Sequence, residues 1–289
     1  MKKIQYLLLA IACLFTVSCH KDNGTAKVHV RVNDFTISQE EIGTKSSTDV
    51  ADYSGVKAIT LAFYKTSDGT EQYKTTQMRA DATTYTTFGE FDLSLPMGSY
   101  TMVVLGYGLN DGEPAITLTS PTSATFGDNP ARETFAYTQA VNITNTDDVD
   151  ISATLNRIVS KLKIHSTDGC TENAVNVRTT LSAGGKAFNP TTGLATSNTG
   201  FVNTLPIQSA VGNSTNSITY LFLATDEQTV NVTIDVLDAD GNSISHKEVS
   251  GVPFKRNRMT VLTGSLYSSG SNGSFQVETD WLDDFNMDF

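Results

Sequence analysis

Cysteine is scarce in this sequence: 289 residues contain three, Cys13, Cys19 and Cys170. Cys13 lies within an N-terminal apolar run, Cys19 closes that run, and Cys170 is left without a partner, so no intramolecular disulfide is available. Stability has to come from packed secondary structure, and Cys170 reads as a lone, partly buried small hydrophobe rather than a reactive thiol. Helical periodicity is nearly absent, which makes that structure sheet. Positive charge is also short, with 20 Lys plus Arg against 31 Asp plus Glu and a net charge of −11. A body this acidic has no electrostatic footprint for nucleic acid and is repelled by anionic lipid.

The constellations of catalysis and cofactor binding are missing. The histidines at 20, 29, 165 and 246 are scattered, none beside a second ligand type at zinc spacing. There is no Gly-x-Ser-x-Gly and no phosphate-cradling glycine loop. His165-Ser166-Thr167-Asp168 holds the letters of a triad, but triad members converge from separate elements, and the segment reads as a strand end and turn. Asp235 to Asn242 has the look of a calcium loop without its bidentate Glu, and an Asp240-Gly241 hairpin turn accounts for it. No catalytic residue, metal or cofactor is assigned, and the chain is expected not to be an enzyme.

The one long apolar run sits at the N-terminus, where Lys2-Lys3 precede an uncharged segment to Ser18. Roughly a dozen apolar residues are too few for a stable membrane span, which needs about 20, and the order of features is that of a secretory signal over residues 1–18. Its end, Thr16-Val17-Ser18-Cys19, resembles the lipobox of bacterial lipoproteins, although leucine is missing three residues before the cysteine. That resemblance implies acylation of Cys19 and a lipidated tether over 19–25. Acyl chains contribute about 0.8 kcal/mol per buried methylene, so more than one chain gives stable anchoring. Without Lys2 and Lys3, 18 basic residues stand against 31 acidic ones, so the mature chain carries −13 and depends on lipid for membrane attachment.

The rest of the chain reads as β. Ala26 to Phe35 alternates, with Val28, Val30 and Val32 on one face and Lys27, His29 and Arg31 on the other. Residues 38–55 are an exposed loop, and strands then recur at 56–64, 71–77, 88–95, 97–107, 135–143 and 149–155. The segment 97–107 is apolar on both faces, as in a central strand. Residues 108–133 and 182–216 have the Gly, Asn, Ser and Thr content of long loops. About seven strands suit one β-sandwich. A second series at 161–165, 175–181, 217–223, 229–237, 243–249, 252–266 and 275–281 suits another, with the boundary near Arg157. The expectation is an all-β chain of two tandem sandwich domains with long loops, over 26–156 and 157–289.

Two motifs carry a family likeness. Val252-Pro253-Phe254-Lys255-Arg256-Asn257-Arg258-Met259-Thr260-Val261-Leu262-Thr263-Gly264 precedes a final strand with Trp281, and Arg157-Ile158-Val159-Ser160-Lys161 opens the second half. Their order and spacing, together with the lipobox, resemble the Bacteroidota fimbrillin superfamily, the subunits of type V pili and their anchor lipoproteins. The resemblance implies transthyretin-like or Greek-key sandwiches, an outer-membrane surface location, and partners that are other fimbrial subunits joined by strand exchange, in support of adhesion. In stalk subunits it further implies cleavage after a basic residue behind the first strand, which then leaves. Here Lys45 is the only basic residue between Arg31 and Lys57, and the strand to be displaced carries Val28, Val30 and Val32. The tail places Phe285, Met287 and Phe289 at alternate positions, as a donor segment or as an edge strand. An anchor keeps residues 27–37 and a stalk subunit loses them; both remain open, as does a surface glycan-binding lipoprotein using Trp281, Tyr267, Phe275 and Phe285 as a sugar platform. Lys255-Arg256-Asn257-Arg258 is either a docking patch for an acidic partner or a solvated turn.

Overall fold

The computed structural model describes residues 24–37, 47–268 and 275–279, and every regular element among them is a strand. The first half contains β1 (Thr25–Thr36), β2 (Ser47–Asp49), β3 (Ala58–Lys65), β4 (Glu71–Met78), β5 (Glu90–Pro96), β6 (Gly98–Tyr107), β7 (Thr117–Ser120), β8 (Ser123–Thr125), β9 (Thr134–Ile143) and β10 (Val149–Arg157). Eight of them form one sheet in the order β2-β1-β10-β9-β6-β3-β4, with β5 also paired to β1. β9 and β10 touch only at Asn156↔Ala136 and Arg157↔Phe135, so the sheet splits there into two wings. The wings close face to face around one core. β1, β5 and β10 contribute Val28, Val30, Phe91 and Ile151; β3 and β6 contribute Leu61, Phe63, Met102 and Val104. This is the first sandwich. β3 and β6 are buried on both faces, because Ala58, Ala62, Tyr64, Val103, Leu105 and Tyr107 pack into a second core on the far side.

The second half contains β11 (Ser160–Ser166), β12 (Asn176–Leu181), β13 (Ala187–Asn189), β14 (Leu194–Ala195), β15 (Phe201–Pro206), β16 (Asn216–Leu221), β17 (Glu227–Leu237), β18 (Ser243–Lys255), β19 (Met259–Gly264) and β20 (Gln276–Thr279). Two four-stranded sheets, β16-β11-β19-β20 and β15-β12-β17-β18, enclose a third core that includes Leu162, Ile164, Val177, Ile234, Phe254 and Leu262. The Asp240-Gly241 turn joins β17 to β18 as expected. Gly241 takes φ 81°, and the Asp238 carboxylate accepts the N–H groups of Asp240 and Asn242.

The segments expected to be loops are corrected by the structure. Within 38–55, Ser47–Asp49 form β2 against β1, and Val50 and Tyr53 are buried because they close the end of the first core. Residues 108–133 carry β7 and β8, and 182–216 carry β13, β14 and β15. Four of these build a sheet drawn from both halves, β14-β13-β8-β7, joined at Phe188↔Ala124. Composition misses such strands because each has two to four residues and one or two inward side chains, Leu118, Ala124 and Phe188 among them. Their hold comes from rings beneath: Phe188 stacks on Phe222 at 4.1 Å, in the core that Tyr107 and Phe126 share.

Candidate functional site

The first strand is interior. β1 runs parallel to β10 (Val28↔Val149 through Ala153↔Val32) and antiparallel to β5 (Val28↔Leu93, Val30↔Phe91). Its period of 2 turns Ala26, Val28, Val30 and Val32 into the core, all at most 4% exposed. Full burial of a valine stabilises by roughly 1.5–3 kcal/mol, so this seam is the main hold on the strand. On the outer face His29 meets Asp92, and Arg31 meets Glu90 at 2.8 Å. These pairs are exposed and contribute up to about 1 kcal/mol each. With Asp150 and Ser152 of β10 they line an open groove of about 410 Å³.

Past Val32 the phase changes. The register steps from Val32↔Ala153 to Asp34↔Thr154, leaving Asn33 as an extra residue in a bulge. Phe35 rather than Asp34 therefore faces inward, with its ring 4.9 Å from Phe135 and 5.8 Å from Tyr53. The opposite wall is Gly106, where a Cβ would lie 2.8 Å from the Phe35 ring. The missing side chain at Gly106 is the room that ring occupies.

Beside Phe35 lies a buried polar cluster. Arg157, the last residue of β10, has a fully buried side chain and pairs through Nε with Glu133 Oε1 at 2.7 Å. Its Nη1 donates to the Ile37 carbonyl at 2.6 Å and to Asn257 Oδ1 at 3.3 Å, and Nη2 donates to the Tyr53 hydroxyl at 3.4 Å. The guanidinium also lies 5.0 Å from the Phe135 ring centroid. Tyr53 donates to both Glu133 oxygens, each at 2.8 Å. Burial pushes Glu133 above the usual carboxylate range against the opposing pull of Arg157, and burial together with the Glu133 charge pushes Tyr53 well up.

Asn257 explains the second motif. It takes φ 57°, a left-handed conformation that asparagine tolerates and β-branched residues do not. The turn between β18 and β19 closes with Arg258 N–H donating to the Lys255 carbonyl at 3.1 Å. Ser160 Oγ then donates to the Lys255 carbonyl at 2.9 Å, and Asn257 N–H to the Val159 carbonyl at 3.2 Å. Thr260 Oγ1 donates to the Pro253 carbonyl at 2.7 Å. Motifs some 100 residues apart thus meet as one junction at the end of β1. Lys255 pairs with Glu227 at 3.0 Å and Arg256 with Asp226 at 2.9 Å, so these two side chains engage the chain's own acids.

The other residues singled out from sequence fall elsewhere. Cys19, Lys45, Trp281, Phe285, Met287 and Phe289 lie outside the described residues. Cys170 is buried. Asp168 accepts from Ser265 Oγ and from the N–H groups of Leu266, Tyr267 and Ser268; burial raises its pKa, but those donors win and hold it at about 2. Ser166 Oγ accepts the Thr215 N–H and donates to the Asp168 carbonyl, so these residues cap turns. Tyr267 and Phe275 pack on the third core, Phe275 lying over Gly264. Among the described residues no three His, Cys, Asp or Glu side chains gather at metal-holding distance. Glu133 and Tyr53 escaped the sequence reading: both sit in stretches that composition marks as loop.

An all-β chain of two sandwiches, each opening with a strand paired in parallel to a late one, is the class of protein that fold and site define. The fold is shared with solved structures at low sequence identity. A candidate adhesin from Bacteroides ovatus matches with a TM-score of 0.52 and 11% identity, over 79% of this chain and 84% of that one. The fimbrial anchor protein Mfa2 from Porphyromonas gingivalis matches with a TM-score of 0.50 and 13% identity, over 89% and 98%. A candidate polysaccharide-binding protein (DUF1812) from Bacteroides thetaiotaomicron matches with a TM-score of 0.50 and 12% identity, over 91% and 100%. No curated protein sequence matches. The chain belongs to the family of unknown function DUF6562, which matches residues 21–288.

Proposed function

We propose that this protein is a structural or assembly subunit of a cell-surface fimbria that supports adhesion, lipid-anchored through Cys19 at least as a precursor and joined to its neighbours by β-strand addition. The observation that carries the reading is the place of β1. One strand, contributed by the first described residues, fills a slot between β10 and β5 and supplies a row of small apolar side chains to the core. A slot of that kind has unpaired N–H and C=O groups on both walls when vacant, and an extended segment of another subunit completes both ladders. The shared fold with a fimbrial anchor protein and with candidate adhesins supports the same reading.

The test is intact mass and N-terminal sequencing of protein from its own cells. An acylated Cys19 on the full-length body is the result expected of an anchor. A mature form beginning at Ser46, recovered in SDS-resistant ladders, makes it a stalk subunit that has lost β1. An unmodified N-terminus on a monomeric secreted protein overturns both.

The likeness to a candidate polysaccharide-binding protein favours a second reading, a surface glycan-binding lipoprotein. Binding of the purified body to a glycan array, lost when Tyr267 and Trp281 are replaced by alanine, selects it.

A further inference from the structure

The end of the β1 slot differs from the rest of it. Along Ala26 to Val32 the slot receives only small side chains, and its outer contacts are exposed ion pairs. Beyond the bulge at Asn33 it receives one large ring and one backbone carbonyl, each in a built site. The ring of Phe35 fills the space left by Gly106 and packs against Phe135 and Tyr53, and Leu155, its register partner on β10, borders the same space. The carbonyl two residues later, at Ile37, is met at 2.6 Å by a guanidinium that is itself fully buried and held from behind by Glu133.

We infer that the pocket formed by Gly106, Phe135, Tyr53 and Leu155 is the specificity and register site of the slot, with Arg157 gripping the backbone at its end, and that the strand it accepts carries an aromatic side chain at the position of Phe35. The inference rests on the strand-addition reading and deepens it by naming what the added strand has to present. A seam of alternating valines tolerates sliding by two residues, because each step puts a small apolar side chain over another. The pocket does not: a slip by two takes the ring out of the space at Gly106 and puts it against neighbours that leave no such room, while Arg157 accepts whichever backbone carbonyl arrives. Arg157 thus holds the end of the strand whatever its side chains, and Gly106 is the position that reads ring size.

The experiment uses the full chain carrying a site for a sequence-specific protease within residues 38–46, nicked there and offered an excess of fluorescent peptide spanning Gly24 to Ile37. Replacement of the nicked strand by peptide is followed by fluorescence anisotropy. The expected result is uptake of the native peptide and at least tenfold less uptake of its Phe35→Ala version, with Lys27→Ala peptide entering as well as native. In the chain, Arg157→Lys keeps the charge facing Glu133 but loses the fork, and should shorten the replacement half-time at least tenfold. Should Arg157→Lys not fold, the peptide arm on the unaltered chain carries the test. Equal uptake of native and Phe35→Ala peptides overturns the pocket assignment while strand addition stands. Uptake of no peptide sinks the strand-addition reading, and the assignment with it.

Discussion

β1 and β11 occupy the same place in their two sandwiches. Each is flanked by an antiparallel neighbour, β5 or β16, and by a parallel one, β10 or β19. Each is apolar inward and polar outward. The difference is in how each is held. β11 follows β10 after two residues, Ile158 and Val159, so the chain enters it through the buried junction at Arg157. β1 is held by side-chain burial, by its ladders and by the Ile37 carbonyl on Arg157. The comparison teaches that topology alone does not make a strand exchangeable; the attachment of its ends does. The same junction that fastens β11 into the second half also grips the far end of β1.

Four substitutions bear on that comparison. Breaking the pair by Arg157→Met should have the largest effect, because it takes the guanidinium from buried Glu133 and leaves Lys161 alone to offset its charge. The expected loss is about 3–5 kcal/mol in chemical denaturation, with a large part recovered in the Arg157→Met/Glu133→Leu double variant. If the single and double variants are equally destabilised, the ion pair is not what holds the junction. Phe35→Ala should lower stability by about 3–5 kcal/mol and raise amide exchange in β1 more than in β11; equal rises in both strands would show that the two sandwiches open together. At the turn of the second motif, Asn257→Ala meets a left-handed backbone and removes an acceptor from Arg157. It should cost about 1–2 kcal/mol, and Asn257→Gly less. A thermal melt in which glycine is the worse of the two would contradict the backbone account.

The smallest effect is confined to the second half. Asp235 accepts from Arg178 at 3.0 Å, from His246 Nδ1 at 2.7 Å and from Ser243. Hydrogen bonds to Asp235 and Glu248 raise the His246 pKa. Its contribution is therefore complete below the ordinary histidine value of about 6.5 and is lost as pH rises through the raised folded value. Asp235 behaves oppositely: burial works against it, but its three partners prevail and lower its pKa. Its contribution is present above the ordinary carboxylate range and lost as pH falls through the depressed value. His246→Ala should flatten the stability profile above pH 6.5 and leave exchange in β1 untouched. A slope that survives the substitution assigns it to another group.

The sequence makes some of this legible and hides the rest for physical reasons. The period-2 run of Val28, Val30 and Val32 predicts their inward face, and the doubly apolar segment 97–107 predicts a central strand; β6 is one. Strict alternation would send Asp34 inward. The bulge at Asn33 reverses this, and nothing local announces it, since the bulge exists only against β10. Arg157 and Asn257 each stood out within a motif, but a contact between residues 100 apart is not written in either. Glu133 lies in a stretch whose composition reads as loop, so its burial appears only once the fold encloses it.

The parallel pairing of β1 with β10 also has a mechanical meaning. For a body hung from the N-terminal side of Thr25 and pulled through its second half, the load on β1 runs along the strand axis. The rungs to β10 and β5 are then sheared together rather than peeled one at a time, and the Ile37 carbonyl on Arg157 shares that load from the far end. Under the tethering proposed above, a body built this way resists detachment best along the axis of β1.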